Sequence, residues 1–304
     1  MSGRPRILVV GAAGQLGQQL RRGFADDGEI IAFDHNAVDL SIPDQVRQMV
    51  RHSAPDVILN AAAYTAVDRA ESEPEKVMSI NALAPGILAE EALRTGTLLV
   101  HYSTDYVFDG SKLDPWTETD LPNPLNTYGR SKLAGEEAIC RVGGRSLIFR
   151  TSWVYGPLGS NFLLTMLRLG RDRCQLNIVD DQYGAPTTTL ELANATRTIV
   201  GGVLANQFGS PDDWAGIYHM TCAGYVSWFG FAQAIFARSR SRLEGKVPMI
   251  NPIQSFEYPT AAKRPQNSVL SNEKLRARFG VRLAPWEEAL DVVLHLLDLP
   301  QQAA

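Results

Sequence analysis

Near its start the chain carries an unbroken apolar run, Ile7 to Val10, and largely apolar segments recur at Glu29 to Phe33, Val57 to Leu59, Leu98 to Tyr102 and Ser146 to Arg150. Continuous rather than alternating apolar character marks strands covered on both faces, as in a parallel sheet. The stretches between them read as helices: residues 14 to about 24, 41 to about 52, Pro74 to Arg94 and Lys132 to Arg141. Ser41 is read as the N-cap of the second of these, with Asp44 three positions on. Strand alternating with helix predicts an α/β fold with a Rossmann-type, doubly wound parallel sheet.

Beyond Arg150 the pattern becomes irregular. Helices are predicted at Asn161 to Leu169, Leu190 to Val200, Trp228 to Arg238, Glu273 to Phe279 and Trp286 to Leu297, and Ile217 to Met220 reads as a strand that rejoins the sheet. Asp180 to Thr187 and Tyr258 to Ser268 are polar loops. The expected organisation is a dinucleotide-binding domain over residues 1–152 and a smaller C-terminal substrate-binding domain over 153–304, with about 185–220 returning to the first.

Composition changes this picture little. In 304 residues, 45% hydrophobic and 20% charged are ordinary globular proportions. A formal charge of -4 supplies no basic field for a nucleic acid, so any bound phosphate is expected on a small molecule. Cys140, Cys174 and Cys222 are odd in number and lack the paired spacing of a zinc site, as for the reduced thiols of a cytosolic protein. The apolar run that follows Met1 to Arg6 is too short for a signal-peptide core, and no run reaches membrane-spanning length. We therefore expect a cytoplasmic protein with neither membrane nor nucleic acid as partner.

Chemistry enters at the strand ends. Gly11, Gly14 and Gly17, with Gln15 and Leu16 among them, sit between the first strand and the first helix. There they permit a tight turn, a close approach to a pyrophosphate and close helix packing, with free helix amides facing the anion. Asp34 ends the second strand, where a carboxylate accepts from adenosine ribose hydroxyls. No arginine follows at once to receive a 2′-phosphate, which favours NADH over NADPH or use of both. The small residues of Asn60 to Thr65, Ala62 and Ala63 among them, let backbone approach a flat ligand, although a packed Ala-rich turn has the same composition. Ser103, Thr104 and Asp105 end the fourth strand, and the long loop Phe108 to Asn126 leads to Tyr128. Tyr128 and Lys132 are one helical turn apart, so phenol and ammonium are expected to share a pocket, the cation lowering the phenol pKa and making it a proton donor and acceptor.

A glycine turn, a Ser/Thr strand end and a tyrosine-lysine helix in this order resemble the extended short-chain dehydrogenase/reductase superfamily. The segments Asn60 to Asp68, Ser103 to Phe108, Tyr128 to Glu136, Asp181 to Thr187 and Arg264 to Ser268 carry the resemblance nearly end to end, and within the superfamily they resemble its reductases of dTDP-linked keto sugars. The resemblance implies hydride transfer from NADPH or NADH to the C4 ketone of dTDP-4-dehydro-L-rhamnose. It implies Tyr128 as proton donor, Lys132 as donor to the nicotinamide ribose and Thr104 as hydrogen-bond partner of the C4 oxygen. By the same resemblance Gly14 to Leu16, Asp34, Asp39, Leu40 and Ala63, Tyr64 and Thr65 meet the dinucleotide, and Thr104, Asp105 and Trp153 meet the sugar. Arg264 would clamp the pyrophosphate bidentately or form a solvated charge pair with Lys263. Some members dimerise through a carboxylate-bridged Mg²⁺; Glu191 matches one ligand, but Gln19 stands where another carboxylate is expected, so neither metal nor that homodimer is carried over. The rivals are another nucleotide-sugar reductase or an epimerase on the same scaffold, and a non-catalytic NAD(P)-binding regulatory subunit.

Overall fold

The apolar runs form the centre of a six-stranded parallel sheet in the computed structural model, which describes residues 4–299. Met1 to Gly3, part of the stretch read against a signal peptide, and the last five residues of the expected C-terminal domain lie outside them. The first half runs β1 (Arg6–Val10), α1 (Gln15–Gly23), β2 (Glu29–Phe33), α2 (Pro43–Ser53), β3 (Val57–Asn60), the short α3 (Val67–Ala70) and α4 (Pro74–Met78), α5 (Ala84–Thr95), β4 (Leu98–Thr104), α6 (Thr127–Val142) and β5 (Ser146–Thr151). The second half adds β6 (Val154–Tyr155), α7 (Phe162–Asp172), β7 (Gln175–Val179), β8 (Tyr183–Gly184), β9 (Thr187–Thr188), α8 (Thr189–Leu204), α9 (Pro211–Trp214), β10 (Gly216–His219), β11 (Val226–Ser227), α10 (Trp228–Arg238), β12 (Met249–Ile253), α11 (Glu273–Phe279) and α12 (Trp286–Asp298).

The sheet order is β10-β5-β4-β3-β1-β2, every pair parallel, so β1, β3, β4 and β5 deliver their carboxyl ends to one edge. One face is covered by α1, α8 and α11 through Leu20, Ile199 and Leu275. The other carries α2, α5 and α6 through Val46, Leu88 and Ile139. These side chains are fully or almost fully buried, and each contributes about 1.5–3 kcal/mol by leaving water. A separate core joins α7, α10 and α12 around Phe231, Leu163 and Leu290. The pairing of β7 with β12, in register from Gln175 with Met249 to Val179 with Ile253, lies beneath that core and was not anticipated.

Two local expectations fail for physical reasons. Ser41 does not cap α2: its hydroxyl donates to Asp39 Oδ1 at 2.7 Å, and Ile42 occupies the cap position before Pro43, whose fixed φ suits the first turn. The helix expected over Pro74 to Arg94 is broken by a π-turn at Ser79–Leu83. Pro85 has no N–H to give the Asn81 carbonyl four residues back, so the regular ladder cannot pass through it. α6 packs onto this turn so closely that a Cβ on Gly135 would stand 2.2 Å from the Asn81 carbonyl oxygen.

Candidate active site

The glycine turn is built for contact. Gly11 has φ +80°, and a Cβ there would lie 2.7 Å from the Ala62 backbone; a Cβ on Gly17 would lie 2.1 Å from the Gly11 carbonyl oxygen. α1 begins at Gln15 after Gly14, with no side-chain cap and no acid in its first turn, so its leading amides are open to an anion. Leu16 is buried in the core beneath, while the Gln15 side chain donates to the Ser160 carbonyl and accepts from Asn161, tying the turn to the second half of the chain. Asp34 Oδ1 accepts from the backbone N–H groups of Asn36 and Ala37, which lower its pKa. Asp39 accepts from Ser41 and is lowered likewise, and Leu40 packs against the core beside it. Ala62, Ala63 and Tyr64 are half-buried and Thr65 is exposed; Tyr64 hydrogen-bonds Glu73 through its hydroxyl, and its backbone N–H donates to the Asn81 side chain.

At the end of β4 the Thr104 hydroxyl donates to Asp105 Oδ1 at 3.0 Å and accepts from the Tyr106 N–H. Asp105 is 2% exposed and its Oδ2 has no partner. Burial pushes its carboxyl up to about 7, against the opposing influence of the nearby Ser268 and Thr104 hydroxyls. α6 starts under Asn126, which accepts from the Gly129 N–H and donates to the Lys263 carbonyl. Gly129 lets the helix press against the segment after β4, since a Cβ would meet the Tyr106 carbonyl oxygen at 2.2 Å. The first turn of α6 thus sets Tyr128 edge-on to Tyr106, ring centroids 5.8 Å apart, with its phenol beside Thr104.

Lys132 is 1% exposed. Its Nζ lies 2.6 Å from the Tyr102 carbonyl and 3.1 Å from His101 Nε2. Burial lowers its pKa to about 8, opposed by the Glu136 carboxylate. Here the expected electrostatics are corrected. Burial pushes the Tyr128 phenol up to about 12, with the Thr104 hydroxyl opposing and Asp105 adding, whereas the Lys132 nitrogen is turned to the sheet. Desolvation of the phenolate outweighs a neighbouring cation occupied elsewhere.

Trp153 has φ +48°, unusual for a large side chain. Its ring stacks on Trp228 at 3.5 Å and 5°, with Gly184 against its edge. Arg264 pairs with Asp68 at 2.6 and 3.2 Å rather than standing with Lys263 as a solvated pair. It lines a cavity of about 1120 Å³ with Lys263, Gln182, Ser255, Phe256 and Trp228. Glu191 accepts the Ala284 N–H, and Gln19 is buried.

Three side chains that join the site were not singled out from sequence. Asn81, in the π-turn, accepts from the Tyr64 N–H and donates to the Tyr64 carbonyl and Ser131 hydroxyl, clamping the loop after β3 to α6. Pro85, four residues on, was the available signal. His101 and Asn60, paired at 2.9 Å, back onto Lys132; nothing in one sequence marks a histidine inside an apolar strand as polar machinery.

A doubly wound sheet with a glycine turn, an open helix start and a tyrosine-lysine pair at one carboxyl edge defines an extended short-chain dehydrogenase/reductase. Within that class the chain belongs to the family described as RmlD substrate binding domain, whose model matches residues 5–298. It is 46% identical over 294 residues, covering 95% of this chain and 98% of the relative, to a dTDP-4-dehydrorhamnose reductase of Burkholderia thailandensis. A dTDP-4-dehydrorhamnose reductase of Escherichia coli K12 is 42% identical over 96% of this chain and 97% of its own. Among solved structures, a Bacillus anthracis dTDP-4-dehydrorhamnose reductase in complex with NADP superposes with a TM-score of 0.87 at 34% identity, covering 96% of this chain and 99% of that one. A Thermus thermophilus UDP-glucose 4-epimerase at 20% identity, TM-score 0.74, shares the fold.

Proposed function

We propose that this protein reduces the C4 ketone of dTDP-4-dehydro-L-rhamnose to dTDP-L-rhamnose with NADPH or NADH as hydride donor. The single observation that carries the reading is the buried Tyr128 phenol, held beside Thr104 and one turn from Lys132, on the sheet edge that also holds the glycine turn. The near full-length identity to curated reductases and the NADP complex of a solved relative support the substrate and the coenzyme class. The epimerase reading rests on fold alone, and a pure binding module has no use for the phenol.

The residues present fit a dinucleotide: α1 starts after Gly14 with no side-chain cap and no acid in its first turn, which leaves its leading amides unpaired, and Gly11 and Gly17 let the turn close against the Ala62 and Gly11 backbone. When bound, the coenzyme supplies the hydride. Gly14 to Leu16, Asp34, Asp39, Leu40 and Ala62 to Thr65 hold it in this reading, and Lys132 donates to its nicotinamide ribose. As the ketone becomes an alkoxide, Thr104 holds the oxygen and Tyr128 gives it a proton. Asp105 and Trp153 bound the sugar, and the cavity beside Arg264 receives the dTDP. Residues 1–152 then bind the dinucleotide and 153–304 mainly the substrate, β10 and α8 packing back onto the first. No described helix is long and apolar enough to cross a membrane, and a small-molecule reductase with three free thiols fits the cytoplasm.

Mixing protein, reduced coenzyme and dTDP-4-dehydro-L-rhamnose should consume the reduced nicotinamide absorbance; a flat trace removes the proposal. Arg264→Ala should raise KM for the nucleotide sugar about tenfold or more, the scale of a lost charge-assisted hydrogen bond, with a smaller change in kcat. An unchanged KM would leave Arg264 as a brace for Asp68. Asp34→Ala should weaken NADH by about tenfold and NADPH by less, because only the free ribose hydroxyls meet the carboxylate. Equal losses in the two titrations would take Asp34 off the ribose.

A further inference from the structure

Behind Lys132 runs a chain of polar contacts buried in the sheet. The Ala62 N–H donates to Asn60 Oδ1 at 3.3 Å, Asn60 Nδ2 faces His101 Nδ1 at 2.9 Å, and His101 Nε2 faces Lys132 Nζ at 3.1 Å. Asn60 is 2% exposed, His101 0% and Lys132 1%. The direction of the chain follows from its first link. Turning the Asn60 amide over would set its NH₂ against the Ala62 N–H, two donors face to face, so the oxygen stays where it is. Nδ2 is then a donor, His101 Nδ1 must accept, and a neutral ring carries its hydrogen on Nε2. That hydrogen points at Lys132 Nζ, which can accept only as an uncharged amine.

We propose that His101, oriented by Asn60, is a positioning residue that donates to Lys132 Nζ and so favours the uncharged form of the lysine in the free enzyme. Lys132 completes the arrangement by donating to the Tyr102 carbonyl. Protonating Lys132 forces the ring hydrogen to Nδ1 and sets it against the Asn60 NH₂, at the cost of that hydrogen bond. The lysine charge and the histidine tautomer therefore change together, and the Asn60 to His101 hydrogen bond is lost with them. Burial, which lowers Lys132 to about 8 and His101 well below its usual range, acts in the same direction. The charged group that acts on Lys132 is Glu136, one turn on along its own helix, and Glu136 is held by Arg150 of β5; Lys132 is the charged group that acts on His101. The inference rests on the reading of Lys132 as the partner of Tyr128, but its first test needs no substrate, so the two fail separately.

In protein labelled with ¹⁵N-histidine, the His101 signals, assigned by their loss in His101→Gln, should show hydrogen on Nε2 at pH 9 and a change of tautomer as pH falls through about 8. A ring with hydrogen on Nδ1 at pH 9, or one whose tautomer is unchanged down to pH 7, overturns the proposal. The alkaline limb of kcat/KM gives a second readout. In His101→Leu it should move up by about one pH unit, because the donor that favours the amine is gone, and in His101→Gln, whose amide can still donate, it should move less. A limb that stays in place in both variants, with only the rate lowered, would make His101 a packing residue.

Discussion

Tyr128→Phe is expected to lower kcat by about 10²–10⁴-fold while the Kd for the reduced coenzyme changes by less than about twofold, the pattern of a deleted general acid. The hydroxyl alone is removed; the ring keeps its edge-on contact with Tyr106, and α6 keeps its cap at Asn126. The size of the effect follows from the electrostatics. Burial pushes the phenol up to about 12, so it keeps its proton at neutral pH. An alkoxide, with a conjugate acid near the ~15.7 of water, still takes that proton downhill. Single-turnover kinetics with the isolated variant distinguish the outcomes. A kcat within about threefold of the parent would mean that another acid serves, and the buried Asp105 carboxyl, pushed up to about 7 beside Thr104, is the group to test next.

The sequence made the scaffold legible because its signals are local. Val9 next to Val10, a glycine at 11 and amphipathic spacing after Gln15 each report on a few neighbouring residues, and they become β1, the turn and α1. Tyr128 and Lys132 are read the same way, since one helical turn connects them. What stayed hidden is set by distant partners. The pairing of Gln175–Val179 with Met249–Ile253 joins segments 74 residues apart, and neither carries an alternating pattern that names the other. Asn81 acts through a π-turn that exists because Pro85 interrupts the ladder, and its value lies in reaching both Tyr64 and Ser131. The Tyr128 phenol is raised rather than lowered for a related reason. Spacing places an ammonium near a phenol, but only the packed sheet shows that the ammonium is aimed at Tyr102 and His101.

Glu136→Gln should lower the free energy of unfolding by about 3–5 kcal/mol, the usual consequence of leaving one member of a buried ion pair alone. Glu136 stands one turn beyond Lys132 on α6 and is 1% exposed; its carboxylate accepts from Arg150 Nε at 2.9 and 3.1 Å and from Nη2 at 2.6 Å. Arg150, at 2% exposed on β5, also lies 5.1 Å from the Phe108 ring, and its Nη1 has no partner, so the carboxylate is the main counterweight to its charge. An amide accepts fewer of these bonds and none of the charge. Urea unfolding followed by circular dichroism measures the loss, and the double variant Glu136→Met with Arg150→Met should recover most of it, because two apolar groups of similar volume leave no charge behind. A single variant within about 1 kcal/mol of the parent would mean that water reaches the pair. Glu136 also favours the charged form of Lys132, so its loss should bring the alkaline limb of kcat/KM to lower pH, opposite in sign to the effect of removing His101. The ion pair then holds α6 on the sheet and, from one turn away, balances the donor on the far side of the lysine.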